Sequence, residues 1–154
     1  MADYNKTINL PKTDFPMRAA LAKREPGMLE EMNRKDLYHK LMDRNKDKKP
    51  FILHDGPPYA NGDIHIGTAM NKILKDLILR YRNMAGYQAP YVPGFDTHGL
   101  PIELKARAKA GGDLSALEPL ALRQICREFA LAYVDGQRDQ FKRLGLLGDW
   151  EHPY

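Results

Sequence analysis

His65 stands at the head of a long amphipathic pattern, with Gly67 two residues on and the loop Pro57-Pro58-Tyr59-Ala60-Asn61-Gly62 before it. An apolar run, Phe51-Ile52-Leu53-His54, leads into that loop. A strand, a tight loop and a helix in this order favour a phosphate-bearing ligand. The first-turn N–H groups of the helix lack intrahelical partners and its dipole is positive there. An imidazole at that point can donate to a phosphate oxygen as charge builds on it. Gly67 has no β-carbon, so a flat base or sugar could lie close to the backbone. A second candidate is Asp96, in Gly94-Phe95-Asp96-Thr97-His98. Its carboxylate either pairs with a substrate ammonium at a pocket mouth or closes a local Asx-turn.

The loop fits no common phosphate fingerprint. It lacks the G-x-G-x-x-G of dinucleotide sites. Gly62 and Gly67 have P-loop spacing, but Thr68 occupies the position where that motif needs lysine. No Ser-His-Asp or Cys-His arrangement is readable. His54, His65 and His98 are widely spaced with no cysteine beside them, so no zinc site is expected. The single cysteine, Cys126, excludes an internal disulfide and falls in a helical pattern, where a reduced core residue is expected.

The positioning elements follow from periodicity. Residues 1 to about 24 show no period and read as an extended arm. A helix is expected from Pro26, in its first turn, to about Arg44, with Met28, Leu29, Met32, Leu37, Tyr38 and Leu41 as its apolar positions. Residues 51–54 and 90–93 read as strands, the second weakened by Pro90 and Pro93. Between them Ile66, Met70, Ile73, Leu74, Leu77, Ile78, Tyr81, Met84 and Ala85 fall on one face of a helix that Gly86 stops. The sum is an α/β fold with a parallel βαβ unit. Ligands in such sheets sit beyond the carboxyl ends of strands, so the loop after 54 and the segment 94–98 should meet, with His65 and Asp96 at one cavity. A short helix over 102–106, broken at Gly111-Gly112, and a long one from Pro119 to near Gly145 complete the chain. The latter turns Leu122, Ile125, Cys126, Phe129, Tyr133 and Phe141 inward. Residues 1–48 read as an arm and helix, and 49–154 as the α/β nucleotide-binding part.

A chain of 154 residues can bury a real core. Its net charge of +4 permits contact with a polyanion without demanding it. The run Lys46-Asp47-Lys48-Lys49 reads as a solvated loop. No leader or membrane-span pattern is found, and a cytoplasmic protein is expected.

His65-Ile66-Gly67 resembles the first three positions of the "HIGH" signature of class I aminoacyl-tRNA synthetases. The blocks His54-Asp55-Gly56-Pro57-Pro58-Tyr59-Ala60-Asn61-Gly62, Asn71-Lys72-Ile73-Leu74-Lys75-Asp76 and Pro90 to Glu103 resemble the isoleucine-specific members. Lys12 to Arg18 and Gly148 to Tyr154 also fit. The resemblance implies the first half of a Rossmann-like catalytic domain, with His65, Gly67 and Thr68 as the catalytic set. It implies substrate and ATP contacts at Gly56, Pro57, Pro58, Tyr59, Asn61, Gly62, Asp96 and His98, with Asp96 on the amino-acid ammonium and Gly56 and Pro57 at the aminoacyl moiety. The implied cofactors are ATP and the Mg2+ that accompanies it, and the partners are isoleucine and tRNA(Ile), in an enzyme expected to be a monomer at full length.

Two departures bear on this. Thr68 stands where the signature has its second histidine, and no "KMSKS" loop is present. The chain therefore reads as an N-terminal piece of such an enzyme, inactive or weakly active alone. The alternatives are a non-catalytic nucleotide- or tRNA-binding module of the same fold, or a valine, leucine or methionine relative.

Overall fold

The computed structural model describes residues 4–9, 13–14, 18–111 and 117–154. Prolines 11 and 16 of the expected arm, and Gly112 of the expected helix break, lie outside them. After a 3-10 turn at Tyr4–Thr7 come α1 (Leu21–Arg34), α2 (Leu37–Arg44), α3 (Ile66–Met84), α4 (Leu100–Ala110) and α5 (Pro119–Arg143).

The single helix expected from Pro26 to Arg44 is two. α1 begins five residues earlier, so Pro26 lies inside it, and the chain breaks at Asp36, whose backbone is left-handed (φ 48°). Asp36 holds that break by a 2.7 Å contact to His39 Nδ1. α2 is tied inward by Tyr38, whose hydroxyl donates to the Tyr91 carbonyl and accepts from the Tyr91 N–H, both at 3.2 Å.

The strands expected at 51–54 and 90–93 are not formed. Among the described residues the β pairing consists of two isolated parallel bridges, Pro50 with Gln88 and Tyr59 with Asp96. The reason is the prolines. Pro50, Pro57, Pro58, Pro90 and Pro93 carry no N–H, so a continuous ladder cannot run between the segments. The last residues lie along the other side of the second segment. Asp149 N–H donates to the Tyr91 carbonyl, Tyr154 N–H to that of Pro93, and Phe95 N–H to that of Tyr154. Three extended segments are thus bonded side by side, with the 88–96 segment between the other two.

α3 ends at Met84, and Gly86 then takes a left-handed turn (φ 85°). Asn83 and Asn45, both buried, order the exit. Asn83 Nδ2 donates to the carbonyls of Leu79 and Ala89, and Asn45 Nδ2 to those of Asn83 and Tyr87. α4 packs on α5. The core gathers Ile102, Ala106, Phe129, Ala130, Val134, Phe141, Leu146 and Trp150. Trp150 stacks on Phe141 and meets the Tyr91 ring edge-on.

The stripe expected to anchor α3 faces solvent. Ile66 is 87% exposed, Leu77 57% and Met84 73%. The buried side of α3 instead carries Ala69, Lys72, Leu79 and Asn83. Periodicity identified the helix correctly, but none of the described residues covers its apolar face.

Candidate active site

His65 is the N-cap of α3, with extended backbone (φ −105°, ψ 171°). Its ring Nδ1 accepts from the N–H groups of Gly67 (3.1 Å) and Thr68 (3.3 Å). Two of the orphan donors of the helix start are thereby satisfied by the imidazole. An Nδ1 that accepts is unprotonated, so the ring proton is on Nε2. His65 is exposed, and Nε2–H is the donor its ring keeps beyond the cap.

Gly67 has a different role from the one its type suggested. A Cβ there would lie 3.0 Å from His65 Cε1 and 3.1 Å from His65 Nδ1. The space next to Gly67 holds the His65 ring, so the glycine permits the cap before it could admit a ligand. Thr68 follows in the first turn and is half-buried.

The preceding loop is fastened at several points. Ala60 N–H donates to the Asp96 carbonyl and Asp96 N–H to the Pro58 carbonyl, each at 2.8 Å. Gln137 Nε2, on α5, donates to the carbonyls of Tyr59 (2.9 Å) and Gly62 (2.7 Å). Gln140, one turn on, accepts from Ile64 N–H at 2.9 Å and donates to Asp63 Oδ1 at 2.8 Å. Asn61 Nδ2 reaches the Pro101 carbonyl at 3.4 Å. Gly56 and Pro57 are exposed, as is half of Tyr59. The chain order of loop, cap and helix is thus fixed in space by α5.

Asp96 is partly exposed, and its Oδ1 accepts from His98 N–H at 3.4 Å. That is the local contact of an Asx-turn, and it leaves the other carboxylate oxygen available. His98 lies further out. With Thr97, Ile102, Leu122, Cys126 and Arg127 it lines a cavity of about 680 Å3 between α4 and α5. Neither His65 nor Asp96 lines that cavity. The loop and the 94–98 segment meet at a backbone bridge between Tyr59 and Asp96, which by itself does not bring His65 and Asp96 to one cavity. Cys126 is partly buried in the same wall, and burial raises its thiol. Among the described residues no group of three or more His, Cys, Asp or Glu side chains could hold a metal ion. No helix among them is long and apolar enough to cross a membrane.

Sequence reasoning missed the polar groups that hold this site. Gln137 continues the ladder Phe129, Tyr133, Phe141 at four-residue steps, and a polar residue on that buried face was the available signal. Asp55 was missed as well. Its buried carboxylate receives Lys72 Nζ, Lys75 Nζ and, at 2.6 Å, the Tyr91 hydroxyl. Burial alone would raise its pKa. The three hydrogen bonds and the Lys72 charge outweigh that and hold the carboxyl below the usual carboxylate range. Burial in turn pulls the Lys72 ammonium down, opposed by Asp55. Tyr91 is raised by burial and by Asp55.

Comparison with known proteins places the chain in a family. The chain is 59% identical over 152 residues to the isoleucine–tRNA ligase of Thermoanaerobacter sp. (strain X514), covering 99% of this chain and 16% of that protein. It is 58% identical over 154 residues to the isoleucine–tRNA ligase of Shewanella piezotolerans, again 16% of the relative. This chain therefore spans about a sixth of the length of these curated relatives. Among solved structures, the ternary complex of Agrobacterium radiobacter K84 agnB2 LeuRS-tRNA-LeuAMS superposes with a TM-score of 0.68 at 22% identity. That match covers 87% of this chain and 15% of that one, and it shows likeness of fold. The family described as tRNA synthetases class I (I, L, M and V) matches residues 27–154, and the chain belongs to it.

Proposed function

We propose that this chain carries the adenylate-forming site of an isoleucine–tRNA ligase. The isoleucine carboxylate attacks the α-phosphorus of ATP, the bond to the bridging oxygen breaks, and isoleucyl-adenylate and pyrophosphate result. The aminoacyl group then passes to the terminal ribose of tRNA(Ile). The work asked of the protein in the first step is positioning and stabilisation of charge on a phosphoryl group.

The observation that carries this reading is the Tyr59–Asp96 bridge, which joins the proline-rich loop to the Asp96 segment directly before the His65-capped helix. In the proposed roles, Asp96 pairs its free carboxylate oxygen with the isoleucine ammonium. Gly56 and Pro57 border the aminoacyl group, and Pro58, Tyr59, Asn61, Gly62 and His98 complete the substrate wall. His65 donates from Nε2 to a phosphoryl oxygen. Mg2+ enters with ATP, held by its phosphates, and no residue here is assigned to it. The parallel segments 49–60 and 88–96, with α3 between them, are read as part of a Rossmann-like sheet. The names of the relatives support isoleucine as substrate.

Thr68 in place of a second histidine favours one other reading, a binding module that holds nucleotide without activating an amino acid. Isoleucine-dependent ATP–pyrophosphate exchange, measured with the whole polypeptide its gene encodes, separates the two. Exchange that needs isoleucine, with valine, leucine and methionine far weaker, is expected. ATP binding without exchange, or exchange driven by another amino acid, overturns the proposal.

A further inference from the structure

The block Asn71 to Asp76 matches the family in sequence, yet the activation chemistry uses none of it. Its structural content is charge on the buried side of α3. Asp55 is 3% exposed, Lys72 5% and Tyr91 6%. Every donor of this cluster converges on the two residues before Pro57-Pro58. Lys72, Lys75 and Tyr91 bind the Asp55 carboxylate, Lys72 Nζ also reaches the Gly56 carbonyl at 3.3 Å, and Tyr154 donates its hydroxyl to the Asp55 carbonyl. The prolines that follow have no N–H, so the loop cannot be anchored there by backbone donors. Side-chain donors take over at its stem.

Stability alone does not explain such a cluster. A buried ion pair is seldom more stabilising than well-packed apolar residues of the same volume, whereas its directional bonds fix a geometry. Lys72 lies about two turns beyond His65 on the same helix. The imidazole proposed to meet phosphate thus caps the start of α3, and the ammonium that grips the loop stem lies further along it.

We infer that Lys72 is a positioning residue: through Asp55 and the Gly56 carbonyl it sets the Gly56-Pro57 stem at a fixed place relative to His65. The inference rests on the reading of this loop as the wall of the amino-acid site.

The test uses the whole polypeptide its gene encodes and the pair Asp55→Asn with Lys72→Met. Both charges leave together, so neither is stranded in the interior, and Lys75, 26% exposed at its side chain, returns to water. Two readouts are taken. The first is amide hydrogen exchange at Ala60 and Asp96, which form the loop bridge, against Leu79 in the buried side of α3. The second is the Michaelis constants for isoleucine and ATP in pyrophosphate exchange. Ala60 and Asp96 should exchange about tenfold faster or more, while Leu79 keeps its protection. The isoleucine constant should rise about tenfold with the ATP constant within about twofold. Bridge amides exchanging at the unsubstituted rate overturn the inference, whatever the kinetics. If the unsubstituted protein shows no isoleucine-dependent exchange, the activation reading fails by itself, and the amides still decide the positioning role. Should the paired variant not fold, Lys72→Met alone removes the grip on Asp55 and the Gly56 carbonyl and leaves the Asp55 carboxylate held by Lys75 and Tyr91. Faster exchange at Ala60 alone then supports the inference, and no change overturns it.

Discussion

The His65 ring fills the space where a Gly67 side chain would be: a Cβ on Gly67 would meet His65 Cε1 at 3.0 Å, and Gly67 N–H donates to His65 Nδ1 at 3.1 Å. Gly67 is helical with an ordinary backbone, so alanine there is favoured by intrinsic propensity by up to about 1 kcal/mol. Gly67→Ala gains that propensity but loses the His65 cap, worth about 1 kcal/mol, so it should leave the thermal midpoint nearly unchanged, yet lower the rate of adenylate formation about tenfold by displacing the imidazole. Thermal melts and single-turnover rates on the same preparation check it. A loss of rate that tracks a loss of stability would contradict the account.

Thr68 follows in the same turn. Its hydroxyl can donate, but it is shorter than imidazole and cannot carry charge. Losing one transition-state donor costs about 3 kcal/mol, on the order of a hundredfold in rate. Thr68→His should raise the adenylate-formation rate and leave the ATP constant nearly unchanged. An unchanged rate would show that threonine is an adequate substitute.

Gln137 gives a stability prediction. Its amide is buried and donates to the carbonyls of Tyr59 and Gly62. Gln137→Leu keeps the volume and leaves both carbonyls without that donor, at a cost of about 1–3 kcal/mol. Gln137→Glu places a carboxylate against two carbonyl oxygens and should cost more. Denaturant titrations of the two variants test the order. Equal stability would remove the clamp from the account.

Asp55 predicts an acid limb. Its folded pKa lies below the unfolded value. Such a group contributes stability that is fully present above the unfolded value, about 3.9, and is lost as pH falls through the folded one. At neutral pH Asp55→Asn leaves the Lys72 ammonium buried without its counter-charge and should cost about 3–5 kcal/mol. The difference from the unsubstituted protein should narrow as pH falls below about 4. Denaturant midpoints across that range check it, and a gap constant in pH would contradict the ionised pairing.

The exposed face of α3 predicts association. Ile66, Met70, Leu74, Leu77, Tyr81 and Met84 form an apolar stripe open to solvent. Contiguous patches of this kind are aggregation liabilities. A polypeptide of these 154 residues should associate with rising concentration, and Leu74→Lys with Leu77→Glu should suppress this while the far-ultraviolet helix signal is kept. Sedimentation of the two forms decides. A monomeric, freely soluble parent would contradict the exposure.

What the sequence discloses depends on how local each signal is. The ends of α3 were legible because the pattern begins at His65 and Gly86 takes the positive φ that stops it. Pro119 and Gly145 marked α5 for the same reason. Pairing between segments was not legible, since it depends on which N–H groups survive near five prolines, and the strands became two bridges. The direction of the α3 stripe was not legible either. Periodicity reports that a face is apolar but not what covers it. The clamps formed by Gln137 and by Lys72 join residues distant in the chain, and a single sequence contains no record of such pairs.

The His65 cap and the Asp96 segment, joined by one loop, are proposed as a single site of isoleucine activation. The most direct test of that proposal is the single-turnover formation of isoleucyl-adenylate by the whole polypeptide its gene encodes, compared with His65→Ala and Asp96→Asn. Adenylate is expected with isoleucine, and His65→Ala should lose about a hundredfold or more in rate at nearly unchanged ATP binding. For Asp96→Asn a similar loss is expected, concentrated in the use of isoleucine. Adenylate formed at the unsubstituted rate by either variant would contradict the proposal.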